Sequence, residues 1–483
     1  MNNISLTLHN ILHDKYNFKT FRPGQEETLM SVLSGCPTLS ILPTGSGKSL
    51  LYQLPAHLTN GLIVVISPLI SLMQDQVDRI RQQNQFKVAM LNSNLDFHEQ
   101  TLILKTMRQY RFLFTSPETL VKPAVQRKLA NLDISMLVVD EAHCISQWGP
   151  NFRPEYLLIK DVIRRIAPQR LLMLTATATP SVTKDIITKM GLDPNAVKII
   201  RQPVDRKNIF LAVHRLPDEH TKQENLIEMI NKLGPGGVTY FSSKKVTNQV
   251  AELITKKTDL RVGIYHAGLS RIERYQVQQQ FMHNQLDLIC ATSAFGMGIN
   301  KNDIRYVIHY HMPGSIESYV QEFGRAGRDG LAALSLILYA PGDEFIQDNL
   351  VQTAVPSVES LEAVLQKRLP LNIFGEEQDL IDFYLQHHYS PQQICEILDE
   401  QNLLSKKRVR TMLSYIAGDH CYREVINAYF GQDDFQKPQM CCSFDQPDWQ
   451  FDDLALPAVK QQVQAKPRDW QTIIDNLFHE GSI

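Results

Sequence analysis

The chain has 483 residues, of which 43% are hydrophobic and 21% charged, and a formal net charge of -2. That length exceeds one ordinary core and asks for two or three domains of roughly 100–200 residues, while the composition excludes a disordered or fibrous chain. Near-neutral charge excludes a global positive field, so a polyanionic partner would have to be held by local patches.

In chain order, strand-length apolar runs occur at residues 38–42, 62–66, 112–115, 136–139 and 171–174, with helical periodicity between them, as at 69–80 and 97–108. Strands alternating with helices predict a parallel sheet covered on both faces. A second alternating series begins near Asn208 and includes 237–241, 261–265, 286–291, 306–310 and 333–338, with 202–208 as the linker. Beyond Tyr339 the strands stop, and apolar residues recur at helical spacing through 361–365 and 394–403, predicting a helical platform to about residue 430. The remainder, 433–483, is rich in Gln, Asp and Pro and carries one expected helix at 470–478.

Three motifs sit on this frame. After the first run comes Leu42-Pro43-Thr44-Gly45-Ser46-Gly47-Lys48-Ser49. Glycines there let backbone N–H groups turn toward phosphate oxygens, Lys48 neutralises the outer phosphates, and the Ser49 hydroxyl can ligate Mg²⁺. The strict pattern asks for glycine where this chain has Leu42. Asp140-Glu141-Ala142-His143 follows the fourth run, so Asp140 emerges at a strand end, suited to Mg²⁺, and Glu141 beside it can orient an attacking water as general base. Far downstream, Gln321-Glu322-Phe323-Gly324-Arg325-Ala326-Gly327-Arg328 places Arg325 and Arg328 three apart, a spacing that puts them on one face of a short helix. From a second lobe they could stabilise charge developing on a γ-phosphate. An ATP-driven motor with ATP and Mg²⁺ at an inter-lobe cleft is the expectation.

Over roughly residues 16–340 the chain resembles RecQ-family DNA helicases of superfamily 2. Phe18-Lys19-Thr20-Phe21-Arg22-Pro23-Gly24-Gln25 is similar to motif 0, which implies adenine reading by Gln25 and Arg22 and stacking by Phe18. Residues 67–76 resemble motif Ia and Thr115-Ser116-Pro117-Glu118 motif Ib, Thr175-Ala176-Thr177-Ala178 looks like motif III, and the run 291–301, with Thr292, resembles motif V. The stretch 144–156, with Gln147, Trp148, Phe152 and Arg153, is similar to the family's aromatic-rich loop, departing from it at Pro150 and Asn151. Its aromatic faces and Arg153 suit sequence-tolerant single-strand binding. The resemblance implies two tandem RecA-like lobes, at 1–203 and 204–342, and a helical region at 343–447 with a tail at 448–483. It also implies ATP-dependent 3′ to 5′ unwinding, with Ser116, Gln147, Trp148, Phe152, Arg153 and Thr292 on single-stranded or partly duplex DNA. An RNA-dependent helicase and an ATP-gated clamp that does not separate strands are the alternative readings.

The family usually carries a four-cysteine zinc site in the C-terminal part. Here Cys421 matches its first ligand and Cys441 the later cluster, but Phe444 and Pro447 stand where cysteines are expected. Tetrahedral zinc needs four N or S donors, so zinc is not expected. His420 and Cys442 are the candidate substitutes, although adjacent residues rarely both reach one metal. Without metal, Phe444 and Trp449 are expected to supply apolar packing. The 36 residues after 447 are too few for a winged-helix domain. Apolar runs far below the roughly 20 residues that span a bilayer, no export segment at Met1-Asn2-Asn3, and isolated Cys36, Cys144, Cys290 and Cys395 complete the expectation of a monomeric cytoplasmic protein without disulfides.

Overall fold

The computed structural model describes residues 2–83, 85–147, 153–296, 301–432 and 435–459. The first series of apolar runs forms β1 (Thr38–Ile41), β2 (Leu62–Ile66), β3 (Val88–Leu91), β4 (Phe112–Thr115), β5 (Ile134–Val139), β6 (Leu171–Thr175) and β7 (Lys198–Arg201). All pair in parallel in the order β3-β4-β2-β5-β6-β1-β7. The central strands are buried along their whole length, as strands covered by helices on both faces must be. The edge strands β3 and β7 escape the sequence reading. Each is four residues long, and the exposed Lys198 and Ile199 at the start of β7 break the apolar signal.

The second sheet contains β8 (Ile209–Arg215), β9 (Gly237–Tyr240), β10 (Val262–Tyr265), β11 (Leu288–Ala291), β12 (Tyr306–His309) and β13 (Ala333–Tyr339), parallel in the order β10-β11-β9-β12-β13-β8. Its apolar core continues into the C-terminal region through Val409, Met412, Tyr415 and Ile426. Beyond β13 come the helices Asp343–Val351, Val358–Leu365, Gln378–Gln386, Pro391–Ala417 and Tyr422–Tyr429, with no further strand among the described residues. The long helix Pro391–Ala417 opens on a reciprocal Ser390–Gln393 capping box and on Pro391 at its first turn. Its N-terminal half packs with Leu361, Ile381 and Tyr384, a cluster that Leu157 of the first lobe also joins. Its C-terminal half meets the second lobe at Tyr319, whose ring lies 5.5 Å from that of Tyr415. The platform therefore touches both lobes. The expected helix at 470–478 lies outside the described residues.

The linker between the sheets is gripped from the C-terminal side. Gln432 accepts from the Val204 N–H at 2.9 Å and donates to the Gln202 carbonyl at 3.2 Å. Arg423, buried at the start of the helix Tyr422–Tyr429, pairs with Asp205 and donates to the Arg206 carbonyl at 3.2 Å. A second buried pair, Lys222 to Asp343 at 2.7 Å, ties the second lobe to the first helix of the platform. Removing one partner of such a pair leaves a buried charge uncompensated. Arg423→Met is therefore expected to lower unfolding free energy by about 3–5 kcal/mol, read as a drop in the urea midpoint, whereas the exposed Arg164→Met stays close to wild type.

Candidate active site

The segment expected to bind phosphate is built by β1 and the bend that follows it. Gly45 and Gly47 adopt left-handed φ of 81° and 78°, and a Cβ at Gly47 would lie 2.9 Å from Gln25 Nε2. These two glycines are conformationally required. Leu42, the departure from the strict pattern, is fully buried, and its side chain occupies the space that a Cβ at Gly24 would enter. An apolar residue there joins the loop to the 18–25 segment, so the missing glycine does not deform the turn. Gln25 donates to the Ser46 carbonyl at 2.7 Å and accepts from the Arg22 N–H at 2.9 Å, while Arg22 Nη1 donates to the Gly45 carbonyl.

The acidic pair leaves the end of β5. Asp140 Oδ1 accepts from the Glu141 N–H at 3.0 Å, and Glu141 sits at φ 49°, a left-handed bend uncommon for a non-glycine residue. Burial, reinforced by Glu141, pushes the Asp140 carboxyl up to about 7, with Lys48 opposing. Burial likewise lowers the Lys48 ammonium. Both shifts are set mainly by desolvation, and Lys48 and the two acids offset part of it for each other.

From the second sheet, Gln321 lies on the helix Ile316–Phe323, which ends before the arginines. Arg325 and Arg328 thus stand in the turns after the helix, not on the helical face that their spacing suggested. Gly327 lies in the turn just before Arg328. Its φ is 55°, and a Cβ there would lie 2.4 Å from Asn208 Nδ2. Arg206 holds this loop, donating to the carbonyls of Gly324 at 2.9 Å, Ala326 at 3.1 Å and Gly327 at 2.7 Å.

The two halves meet in one cavity of about 690 Å³. It is lined by Phe18, Arg22, Gln25, Thr44, Gly45, Gly47, Lys48, Ser49, Asp140 and Glu141 from the first lobe and by Gln321, Arg325 and Arg328 from the second. Among the described residues, hydrogen bonds cross the seam from Thr44 Oγ1 to the Gly324 carbonyl at 3.0 Å and from Gln321 Nε2 to His143 Nε2 at 3.3 Å. Burial lowers the His143 pKa, opposed by Glu141, whose carboxylate lies 3.3 Å from Nδ1. Nδ1 is also 3.0 Å from Thr175 Oγ1, which donates to the Thr177 carbonyl, and Nε2 is the atom that meets Gln321. A continuous chain runs from the second lobe through His143 to the end of β6. Burial beside Arg325 and Arg206 pushes Arg328 down to about 9. Ser46 Oγ is buried and makes no hydrogen bond. A cradle that collects arginines, a lysine and an orphaned hydroxyl fits a triphosphate, and the acids with Ser49 fit a hard divalent cation.

The residues expected on nucleic acid are less gathered. Ser116 is buried at the end of β4 and donates to Thr119 Oγ1 at 3.1 Å. Arg153, expected to offer its charge to a phosphate, pairs in this structure with Glu118 at 2.6 Å. Thr292 follows β11, and its N–H donates to the Tyr265 carbonyl at 3.1 Å. Gln147 closes the short helix Cys144–Gln147. Trp148 and Phe152 lie outside the described residues.

Residues 22–186 match the DEAD/DEAH box helicase family and residues 221–330 the helicase conserved C-terminal domain. The sequence is 37% identical over 456 residues to the probable ATP-dependent DNA helicase RecS of Bacillus subtilis, covering 90% of this chain and 91% of that one. It is 33% identical to the ATP-dependent DNA helicase RecQ of Pasteurella multocida, covering 99% of this chain and 74% of that one. The chain belongs to the RecQ family of ATP-dependent DNA helicases. The fold of this RecQ chain also resembles solved structures at lower identity. One is the Mycobacterium smegmatis helicase Lhr bound to single-stranded DNA and AMP-PNP, with TM-score 0.57, 17% identity and coverage of 83% of this chain and 56% of that one. Another is a DEAD-box helicase bound to single-stranded RNA and UDP-BeF, with TM-score 0.59, 16% identity and coverage of 87% and 88%. No helix among the described residues is long and apolar enough to cross a membrane.

Sequence reasoning missed Arg206, whose only signal is an unremarked position inside the linker, and Arg79, which reaches the cavity from the helix Ile70–Gln82. Arg206→Ala releases three carbonyls of the arginine-bearing loop. Since misplacement by an ångström costs on the order of 100-fold, kcat for ATP hydrolysis is expected to fall about 100-fold with KM little changed, in steady-state assays with saturating single-stranded DNA.

Proposed function

We propose that this RecQ-family ATP-dependent DNA helicase hydrolyses ATP in the seam cavity and couples each turnover to 3′ to 5′ movement along single-stranded DNA and to duplex separation. The observation that supports this most directly is the convergence of Lys48, Asp140 and Glu141 with Gln321, Arg325 and Arg328 on one cavity from two separate sheets. In this reading Lys48 neutralises the outer phosphates and the Gly45–Gly47 bend turns backbone N–H groups toward them. Ser49 and Asp140 would hold Mg²⁺, which supplies charge neutralisation on the phosphate oxygens. Glu141 orients the attacking water and accepts its proton, while Arg325 and Arg328 stabilise the charge that develops on the transferring group. Phe18 offers a half-exposed ring to the base. Arg22 and Gln25 link base recognition to the phosphates, because the same side chains hold the Gly45 and Ser46 carbonyls.

Coupling follows from the divided site. A ligand that touches both lobes favours the closed arrangement by its differential affinity, and hydrolysis removes that preference. The Gln321–His143–Thr175 chain makes the same seam sensitive to what the β6 end carries. We assign the DNA grip to Ser116, Gln147, Trp148, Phe152, Arg153 and Thr292, with aromatic stacking giving tolerance of sequence. The lobe boundaries at 203 and 342 belong to the same proposal. They are supported by the lack of strand pairing between the two sheets among the described residues.

Lys48→Ala should abolish ATP turnover while circular dichroism stays native, and a mutant hydrolysing at the wild-type rate would refute the site. Arg328→Ala should reduce kcat by about 10³ or more, the lower end of what an arginine supplied to phosphoryl transfer contributes. On tailed duplexes, wild-type enzyme should displace the strand from a 3′-tailed substrate and leave a 5′-tailed one intact. Hydrolysis without displacement from either would favour a clamp, and stimulation by RNA above that by DNA would favour the RNA reading.

A further inference from the structure

Within one turn of chain, residues 429–432 of the platform reach both lobes and the linker between them. Tyr429 closes the helix Tyr422–Tyr429, and its hydroxyl donates at 2.8 Å to Oε1 of Glu317 in the second lobe. Phe430 is fully buried in the core of the second lobe, while its carbonyl accepts from Arg201 Nη1 at 3.5 Å. The same Arg201 donates to the Ala178 carbonyl at 2.6 Å and to Thr183 Oγ1 at 2.8 Å, just past β6 of the first lobe. Gly431 turns against Pro180, the first residue of the helix Pro180–Lys189. Its φ is 67°, and a Cβ there would lie 2.9 Å from Pro180 Cγ. Gln432 then takes hold of the linker at Val204 and Gln202.

Glu317 is the point at which this grip meets the nucleotide cavity. It is buried in the first turn of the helix Ile316–Phe323, four residues before Gln321. Residues four apart share a helix face, and both of these address His143. Gln321 does so by its amide at 3.3 Å, and Glu317 by its charge. Burial lowers the His143 pKa and Lys48 adds to the effect, while Glu141 and Glu317 oppose it. Burial and then the Glu317 charge push the Tyr429 phenol up, so it keeps the proton that it donates. The platform and the sheet hold the same helix at a second point, since Tyr319 shares a hydrogen bond with Ser335 of β13 at 2.9 Å and meets the Tyr415 ring at 5.5 Å. The loop of Arg325 and Arg328 begins where this helix ends. In so short a helix a shift of the first turn is carried to the last.

We infer that Tyr429 is a positioning residue for ATP hydrolysis: its bond to Glu317 fixes the helix that presents Gln321 to His143 and that carries the loop of Arg325 and Arg328 into the seam. Tyr429 acts through Glu317 and itself lines no part of the nucleotide cavity. Phe430 and Gly431 bear on the opposite wall, at Arg201 and Pro180, so the same short segment references both walls of the seam to the linker. The role rests on the reading of the seam as the site of hydrolysis.

The test compares the full chain as wild type, Tyr429→Phe and Lys48→Ala in steady-state ATP hydrolysis with saturating single-stranded DNA. Tyr429→Phe removes one hydroxyl and keeps the ring. Its kcat is expected to fall about 10-fold, within the range by which changes along a coupling network alter function. KM for ATP, the half-saturating DNA concentration and the thermal midpoint are expected to stay at wild-type values. A wild-type kcat would overturn the role, and so would a loss that moves KM and the thermal midpoint in parallel, since that marks a tyrosine needed only for folding. Introduced into Glu317→Ala, Tyr429→Phe should lower kcat by no more than about 2-fold, as expected of two changes in one path. An undiminished loss in that background would overturn the route through Glu317. Lys48→Ala keeps the two readings apart. Hydrolysis by it at the wild-type rate would overturn the seam reading and the role of Tyr429 with it, whereas an inactive Lys48→Ala beside a Tyr429→Phe of normal turnover would overturn the role of Tyr429 alone.

Discussion

Neither sheet by itself lines the whole of the cavity proposed to take the nucleotide, and that division is the constraint on which the rest of the molecule depends. In a parallel sheet the loops that can bind ligands leave the carboxyl ends of the strands. Two such sheets can share a ligand only if those ends face each other. Here they do, with Lys48, Asp140 and Glu141 on one wall and Arg325 and Arg328 on the other. Among the described residues, the direct bonds across the seam include a threonine hydroxyl to a glycine carbonyl and a glutamine amide to a histidine ring. Bonds worth roughly 1 kcal/mol each let the lobes part, which a cyclic motor needs and a rigid enzyme would not.

The electrostatics of the cavity carry the same logic. Burial presses the Lys48 and Arg328 cations toward neutrality and the Asp140 carboxylate toward protonation, so the resting cavity holds charges at a cost. A triphosphate with a divalent cation would add a partner to each of these buried charges, in a medium where Coulomb attraction is strong.

The C-terminal region completes the device without touching the phosphates. Gln432 and Arg423 hold the linker, the helix Pro391–Ala417 spans from one lobe's contacts to the other's, and the segment 441–443 lies along β8. A linker gripped in this way does not swing freely. Leu157 is a first-lobe residue that packs against the platform so held.

Much of this was legible in the residues alone. A buried strand followed by Gly-x-Gly-Lys-Ser, another followed by Asp-Glu, and alternating apolar runs report local conformation, and local conformation is what side-chain periodicity and glycine placement encode. The same local signals failed where a neighbour decided the outcome. Arg325 and Arg328 stand beyond a helix that stops at Phe323, β7 formed because β1 offered it an edge, and Arg206 became a loop anchor only when three carbonyls were brought to it. Cys442 and Asp445 show the limit most sharply. Spacing along the chain argued that adjacent cysteines would not both turn inward, but a turn set by pairing with β8 brought Cys421, Cys441, Cys442 and Asp445 together. Sequence by itself determined which chemistry each segment can perform, because that resides in residue type and short-range backbone preference. Only the tertiary structure decided which segments perform it together, because convergence across hundreds of residues depends on how two sheets and a helical platform pack, and no local pattern records that.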